Sequence, residues 1–184
     1  MALALGTNCG FVSVAPSGDP GAGTFSTVDN YRVALRHTSP IGAVKIVEVG
    51  WYCIGATEES NFEVGLYAAD GASVPGEAGT RLYVDNSNAK GTDAGWKRVT
   101  VDWSITAETV YWIAMQCDAT DTATTTPRDL SGGAGIDLVV AASLADPFGG
   151  GALSDADAML GIYALYETGG GTTAVPQMMM MGMG

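Results

Sequence analysis

Nucleophilic and acid-base catalysis need particular side chains, and this chain holds few of the most useful ones. It has one histidine, His37. A Ser-His-Asp arrangement needs an imidazole to take the hydroxyl proton, so any such site would rest on that residue alone. His37 shares strand parity with Tyr31, Val33 and Leu35 and precedes Thr38-Ser39-Pro40. It therefore reads as a strand-end histidine bonded to a loop, and no catalytic residue is assigned. The patterns H-E-x-x-H, G-x-S-x-G, G-x-x-x-x-G-K-[ST] and G-x-G-x-x-G do not occur, which removes the usual metalloprotease, hydrolase, phosphate-loop and dinucleotide fingerprints. Glycoside hydrolysis needs only two carboxylates at a suitable separation. Glu58, Glu59, Asp70 and Asp118 lie near loops, but with 20 acidic residues in the chain their presence selects little, and a glycoside hydrolase is a remote reading.

Two other chemistries have candidates. The stretch Asp118 to Asp129 gathers carboxylates, hydroxyls and carbonyls, the oxygen ligands calcium takes. Asp118, Asp121 and Asp129 are the weak calcium candidates; their spacing is not that of an EF-hand, and a solvated acidic loop with a turn at Arg128 and Asp129 explains the same residues. No other cofactor is expected. Tyr67, Tyr83 and Trp96 are aromatics that strand alternation leaves outside or at rims, where they would stack on sugar rings. The alternative is that they cover the second face of a sheet or a subunit contact.

The elements that must position these residues are strands. Asn61 to Ala68 puts Phe62, Val64, Leu66 and Ala68 on one face and Glu63, Gly65 and Tyr67 on the other. Lys97 to Ile105 alternates in the same way, with Val99, Val101, Trp103 and Ile105 inward and Arg98, Thr100 and Asp102 outward. Val44 to Ile54 and Val110 to Cys117 are apolar on both faces, as expected of mid-sheet strands covered on each side. With Gly10 to Val14, Tyr31 to His37, Arg81 to Val84, Ile136 to Ala141 and Met159 to Glu167, eight or nine strands are expected. Loops are placed at Ala15 to Ser26, Asp70 to Gly79, Asp85 to Gly95, Asp118 to Gly135 and Asp146 to Ser154.

Composition agrees with that class. At 184 residues the chain has the size of one domain, 47% of it hydrophobic, with 26 glycines that follow no triplet period. Its mean hydropathy is +0.18, too apolar for disorder, and no apolar run is long enough to span a bilayer. Twenty acids against 8 bases give a net charge of -12, which would repel a phosphate backbone. Neither nucleic acid nor membrane is an expected partner. Met1-Ala-Leu-Ala-Leu-Gly has no basic region and too short an apolar stretch for a signal peptide, so the chain is expected to fold in the cytoplasm that made it. Cys9, Cys53 and Cys117 form no C-x-x-C spacing and read as buried thiols, with a Cys53 to Cys117 bond open under oxidising conditions.

The pattern changes after Thr168. Residues 1–168 read as one sandwich domain, and 169–184 as a glycine hinge followed by an apolar tip of Val175, Met178, Met179, Met180, Met181 and Met183. These six residues are the expected partner-binding set. A neighbouring subunit is the preferred surface for them, and the alternatives are a groove of their own domain or soft-metal binding by the thioethers.

Asp29-Asn-Tyr-Arg-Val-Ala-Leu-Arg-His-Thr, Ile46-Val-Glu-Val-Gly-Trp-Tyr-Cys, Asn61-Phe-Glu-Val-Gly-Leu-Tyr, Pro75-Gly, Gly95-Trp-Lys-Arg-Val-Thr and Thr109-Val-Tyr-Trp-Ile-Ala follow one another in the chain. Together these stretches resemble β-jelly-roll domains of bacteriophage structural proteins. Those domains are similar in turn to carbohydrate-binding jelly rolls of secreted bacterial proteins. The resemblance covers residues 25–168 and brings no catalytic or binding motif with it. It implies an all-β antiparallel sandwich of the jelly-roll kind; the extended C-terminal arm, 169–184, lies outside the resemblance and is read from the sequence alone. The implied protein is a non-enzymatic virion component, a capsid decoration, head-fibre or tail-associated subunit made in the host cytoplasm. Its expected partners are other virion subunits and further copies of itself. A glycan-binding adhesion module for host or mucus attachment is the second expectation.

Overall fold

The structure is a computed structural model that describes residues 10–18, 26–27, 31–55, 62–72, 75–88, 95–116, 124–125, 127–129, 136–140, 143–149 and 158–170. Among these residues there is no helix, and thirteen strands build the molecule. In chain order they are β1 (Gly10–Val12), β2 (Ser26–Thr27), β3 (Tyr31–Thr38), β4 (Ala43–Gly55), β5 (Phe62–Ala68), β6 (Arg81–Asn88), β7 (Gly95–Ser104), β8 (Val110–Gln116), β9 (Thr124–Thr125), β10 (Pro127–Asp129), β11 (Ile136–Val140), β12 (Ala158–Leu160) and β13 (Ile162–Thr168). Each of the nine expected stretches holds a strand. The short β2, β9 and β10 fall where loops were expected, because two- and three-residue ladders carry too little alternation to read.

Two sheets pack as a sandwich. One has the order β1-β13-β4-β9-β2, with β7 on the other side of β4, and the second runs β11-β3-β8-β5-β6; β10 and β12 pair separately. All pairings are antiparallel except β1 with β13. The chain changes sheet between β3 and β4, β4 and β5, β6 and β7, and β7 and β8, while β5 and β6 are neighbours in one sheet. The two strands with apolar side chains on both faces, β4 and β8, lie inside their sheets rather than at edges.

Alternation explains the core. On β7, Val99, Val101 and Trp103 are buried while Arg98, Thr100, Asp102 and Ser104 are exposed. These buried residues meet Ile46, Val49 and Trp51 of β4, Val33 and Leu35 of β3, Val64 and Leu66 of β5, and Ile113 and Met115 of β8. Each full burial of such an aliphatic side chain contributes roughly 1.5 to 3 kcal/mol. β1 closes one end, where Phe11 meets Tyr111 edge-on at 6.4 Å.

The outer faces are also covered. Tyr163 of β13 lies over Gly50 of β4, so closely that a Cβ at Gly50 would come 2.3 Å from its ring. Its hydroxyl donates to Glu48 at 2.6 Å. On the other sheet the segment 143–149 crosses the outer face, where Leu144 and Phe148 pack with Ala34, Tyr67, Ala78, Trp112 and Ala114 in a second apolar cluster.

Candidate functional site

His37 is set by β3 parity on the inner side of its sheet, opposite Tyr111 of β8. Gly10, the first residue of β1, comes so near that a Cβ there would be 2.5 Å from Nδ1, and it holds a φ of +77° that suits glycine. Burial pushes the imidazole pKa down to about 4, so the ring is neutral at pH 7. Its Nε2 has no hydrogen-bond partner. The expected tie from His37 to a loop is therefore not made through Nε2, and the ring is buried beneath Gly10 of β1.

Of the carboxylates, Asp70 has both oxygens in use. One accepts the Thr80 backbone N–H and the other the Thr80 hydroxyl, each at 2.7 Å. Those bonds hold its carboxyl below the usual range, and they close the loop that ends with Gly71 N–H to Glu77 O at 3.0 Å. A cleft of about 250 Å³ opens beside this loop between Asp70, Glu77, Thr80, Pro147 and Gly149. Glu58, Glu59, Asp118 and Asp121 lie outside the described residues. Asp129 pairs through its backbone with Ala158 of β12. Among the described residues no three of His, Cys, Asp and Glu gather as metal ligands. Cys9 and Cys117 lie outside the described residues, and only the backbone of Cys53 is described.

The three aromatics do not share a surface. Tyr67 was expected on an open face, and its placement is corrected: it is completely buried. Alternation does turn it away from the inter-sheet core, but the segment 143–149 covers that face. Its ring meets Phe148 edge-on at 5.0 Å and its hydroxyl donates to Ala145 O at 2.8 Å. Burial raises its phenol pKa. Tyr83 is half-buried on β6 and stacks on Trp103 at 5.6 Å with the rings 8° apart, so one ring face is already used. Trp96, also half-buried, donates its indole N–H to Gly18 O at 2.7 Å and meets Tyr52 and Tyr163 edge-on. Arg98 beside it donates to Pro16 O, so residues 16–18 cover part of this face.

The most heavily built polar feature was not foreseen. Arg32 of β3, Gln116 of β8 and Glu63 of β5 stand in one cross-strand row, all buried. Glu63 accepts the Leu144 N–H, and the Arg32 guanidinium lies 5.1 Å from the centre of the Phe148 ring. Arg81 donates to Leu144 O at 2.6 Å, and its backbone N–H reaches the Asp146 carboxylate at 3.1 Å. Phe148 N–H donates to Gly79 O at 2.9 Å. This sheet face thus holds a bent segment of its own chain through side-chain and backbone hydrogen bonds, with Phe148 as the apolar anchor. Periodicity gives the parity of Glu63 and Arg32; the cover itself comes from Ser143-Leu-Ala-Asp-Pro-Phe-Gly, of which the part from Asp146 onward reads as a loop.

Where the chain does not cover itself, apolar side chains remain in solvent. Leu82 is 42% and Val84 37% exposed on β6, an edge strand of its sheet, and Ile41 in the turn before β4 and Val44 at the start of β4 are exposed. No protein-family model, no curated protein and no solved structure matches this chain.

Proposed function

We propose that the chain is a non-enzymatic structural subunit of a virus particle, a jelly-roll-type sandwich of the bacteriophage kind. It would assemble with other virion subunits and with copies of itself through its surface and the segment 169–184. The observation that carries this reading is the β6 edge. Its outward backbone groups have no strand partner among the described residues, and Leu82 and Val84 add apolar side chains to it. Natural sandwiches usually guard such edges with charge, proline or a covering segment. Here residues 16–18 and 143–149 cover parts of the outer faces, whereas among the described residues no strand pairs with the outer side of β6. A net charge of -12 would keep free subunits apart until a specific contact overcomes it.

The test is the solution mass by light scattering of the full chain and of a version ending at Thr168. The expected result is a defined oligomer that the shortened chain loses. Monomers in both cases, with no retention on capsid proteins, would sink the assembly reading, and retention on glycans instead would favour an adhesion module.

A further inference from the structure

We infer that β1 is an acid-released latch: protonation of His37 lifts Gly10, Phe11 and Val12 off the edge of β13 while the rest of the sandwich stays folded. The imidazole is buried, and its Nε2 meets no hydrogen-bond partner. An imidazolium carries an N–H donor on each ring nitrogen. With β1 in place the site offers Nε2 no acceptor, so protonation would bury a charge and leave a donor unpaired.

The groups that face the ring bring no compensating charge. Tyr111 stands opposite on β8, and its hydroxyl oxygen accepts the Thr106 N–H at 2.9 Å. The core beneath β1 adds Phe11, Ile162 and Ala164, with Tyr166 of β13 at its margin. Arg36, the preceding residue, turns by alternation to the outer face, where its guanidinium approaches Gly76. Glu108, in the turn whose N–H donates to Ser39 O, is exposed, as is Glu167 of β13. On β11, Asp137 stands opposite Ala34 rather than His37.

Of the elements around the ring, β1 is the one built to leave. It ends its sheet, is three residues long and is held in parallel by β13, whereas β8 joins β3 along the whole ladder from Arg32 to Thr38. A Cβ at Gly10 would stand 2.5 Å from Nδ1 and 2.8 Å from Cγ and Cε1, so the Gly10 backbone itself is the cover. The moving piece also has a defined end. Ser13 and Val14 are exposed, and beyond them Pro16 O accepts from Arg98 and Gly18 O accepts the Trp96 indole N–H at 2.7 Å. The strand swings on Ser13 and Val14 while residues 16–18 stay on β7.

Burial holds the imidazole pKa at about 4, and once β1 lifts and water reaches the ring it regains its ordinary 6.5. The open form binds the proton more readily, so opening is favoured as pH falls below 6.5, and the gain is complete below 4. Between pH 7 and pH 5 the open population grows about 20-fold. An opening of this kind exchanges amides without unfolding the domain.

The experiment is hydrogen exchange of the full chain by NMR at pH 7 and pH 5, without urea and at low urea, beside His37→Leu, which cannot titrate. The β1 amides should be less protected than those of β4, and their exchange should not respond to low urea. Their protection should fall about 20-fold more in the parent than in His37→Leu. Independently of that variant, the one histidine should react with diethyl pyrocarbonate at pH 7 at a rate that low urea leaves unchanged. The reaction should be faster in Gly10→Ala, whose added Cβ meets the ring. If the β1 amides share the protection and urea dependence of β4, His37 is reached through global unfolding and the latch is overturned. Equal pH dependence in the parent and His37→Leu overturns it as well, and so does unchanged labelling in Gly10→Ala.

Discussion

Acid should weaken this fold through one residue. The His37 imidazole titrates at about 4 in the folded chain because it is buried, against an ordinary value of 6.5. The unfolded chain therefore binds a proton more readily, and stability rises with pH across that window. The contribution is fully present above pH 6.5 and is lost as pH falls towards 4. With those two values the loss between pH 7 and pH 5 is about 2 kcal/mol, approaching about 3 kcal/mol below pH 4. Urea unfolding followed by tryptophan fluorescence measures it, with His37→Leu as the reference that cannot titrate. Carboxylates contribute to both proteins alike, so the quantity of interest is the difference between the two pH profiles. The variant should lose about 2 kcal/mol less than the parent between pH 7 and pH 5. Parallel profiles would refute the argument, since they would mean that His37 meets solvent or a partner in the folded chain.

Phe148→Ala should destabilise the protein by about 3 to 5 kcal/mol, the usual cost of truncating a buried phenylalanine, and should speed amide exchange at residues 143–149 more than in β4. Tyr67→Phe removes the bond to Ala145 O and should cost about 1 kcal/mol by denaturant unfolding; no change would mean the hydroxyl is hydrated. Gly50→Ala should displace the Tyr163 ring and lower the unfolding temperature, and Tyr163→Ala combined with it should cost less than the sum of the two. Leu82→Lys with Val84→Lys should change folding stability by less than about 0.5 kcal/mol, as exposed sites do, while reducing oligomer mass if the β6 edge is a contact.

Strand positions were legible because inward and outward residues differ in kind. Val99, Val101 and Trp103 against Arg98, Thr100 and Asp102 leave one consistent placement for β7. The same rule gave β5 its inner face of Val64 and Leu66, yet it left Tyr67 and Glu63 looking solvent-facing. Parity states which side a residue takes, not whether something covers that side. The cover comes from Leu144 and Phe148, far along the chain, in a stretch rich in turn residues with no period of its own. Arg32, Gln116 and Glu63 illustrate the same limit: polar residues read as surface until their register and cover are known. Trp96 and Tyr83 are half-buried, and their ring contacts with Tyr52, Tyr163 and Trp103 depend on distant strands.

The parallel pairing of β1 with β13 gives the sandwich a mechanical direction. Gly10, Phe11 and Val12 stand beside Tyr163, Ala164 and Leu165, with both strands running the same way. Tension applied between the residues before Gly10 and those after Thr168 pulls the two strands past each other along their length. The ladder bonds are then loaded together in shear instead of opening one after another from an end. β13 passes the load to β4 through its antiparallel ladder from Ile162 to Thr168, so a pull on the two ends is borne first by the strands next to the inter-sheet core.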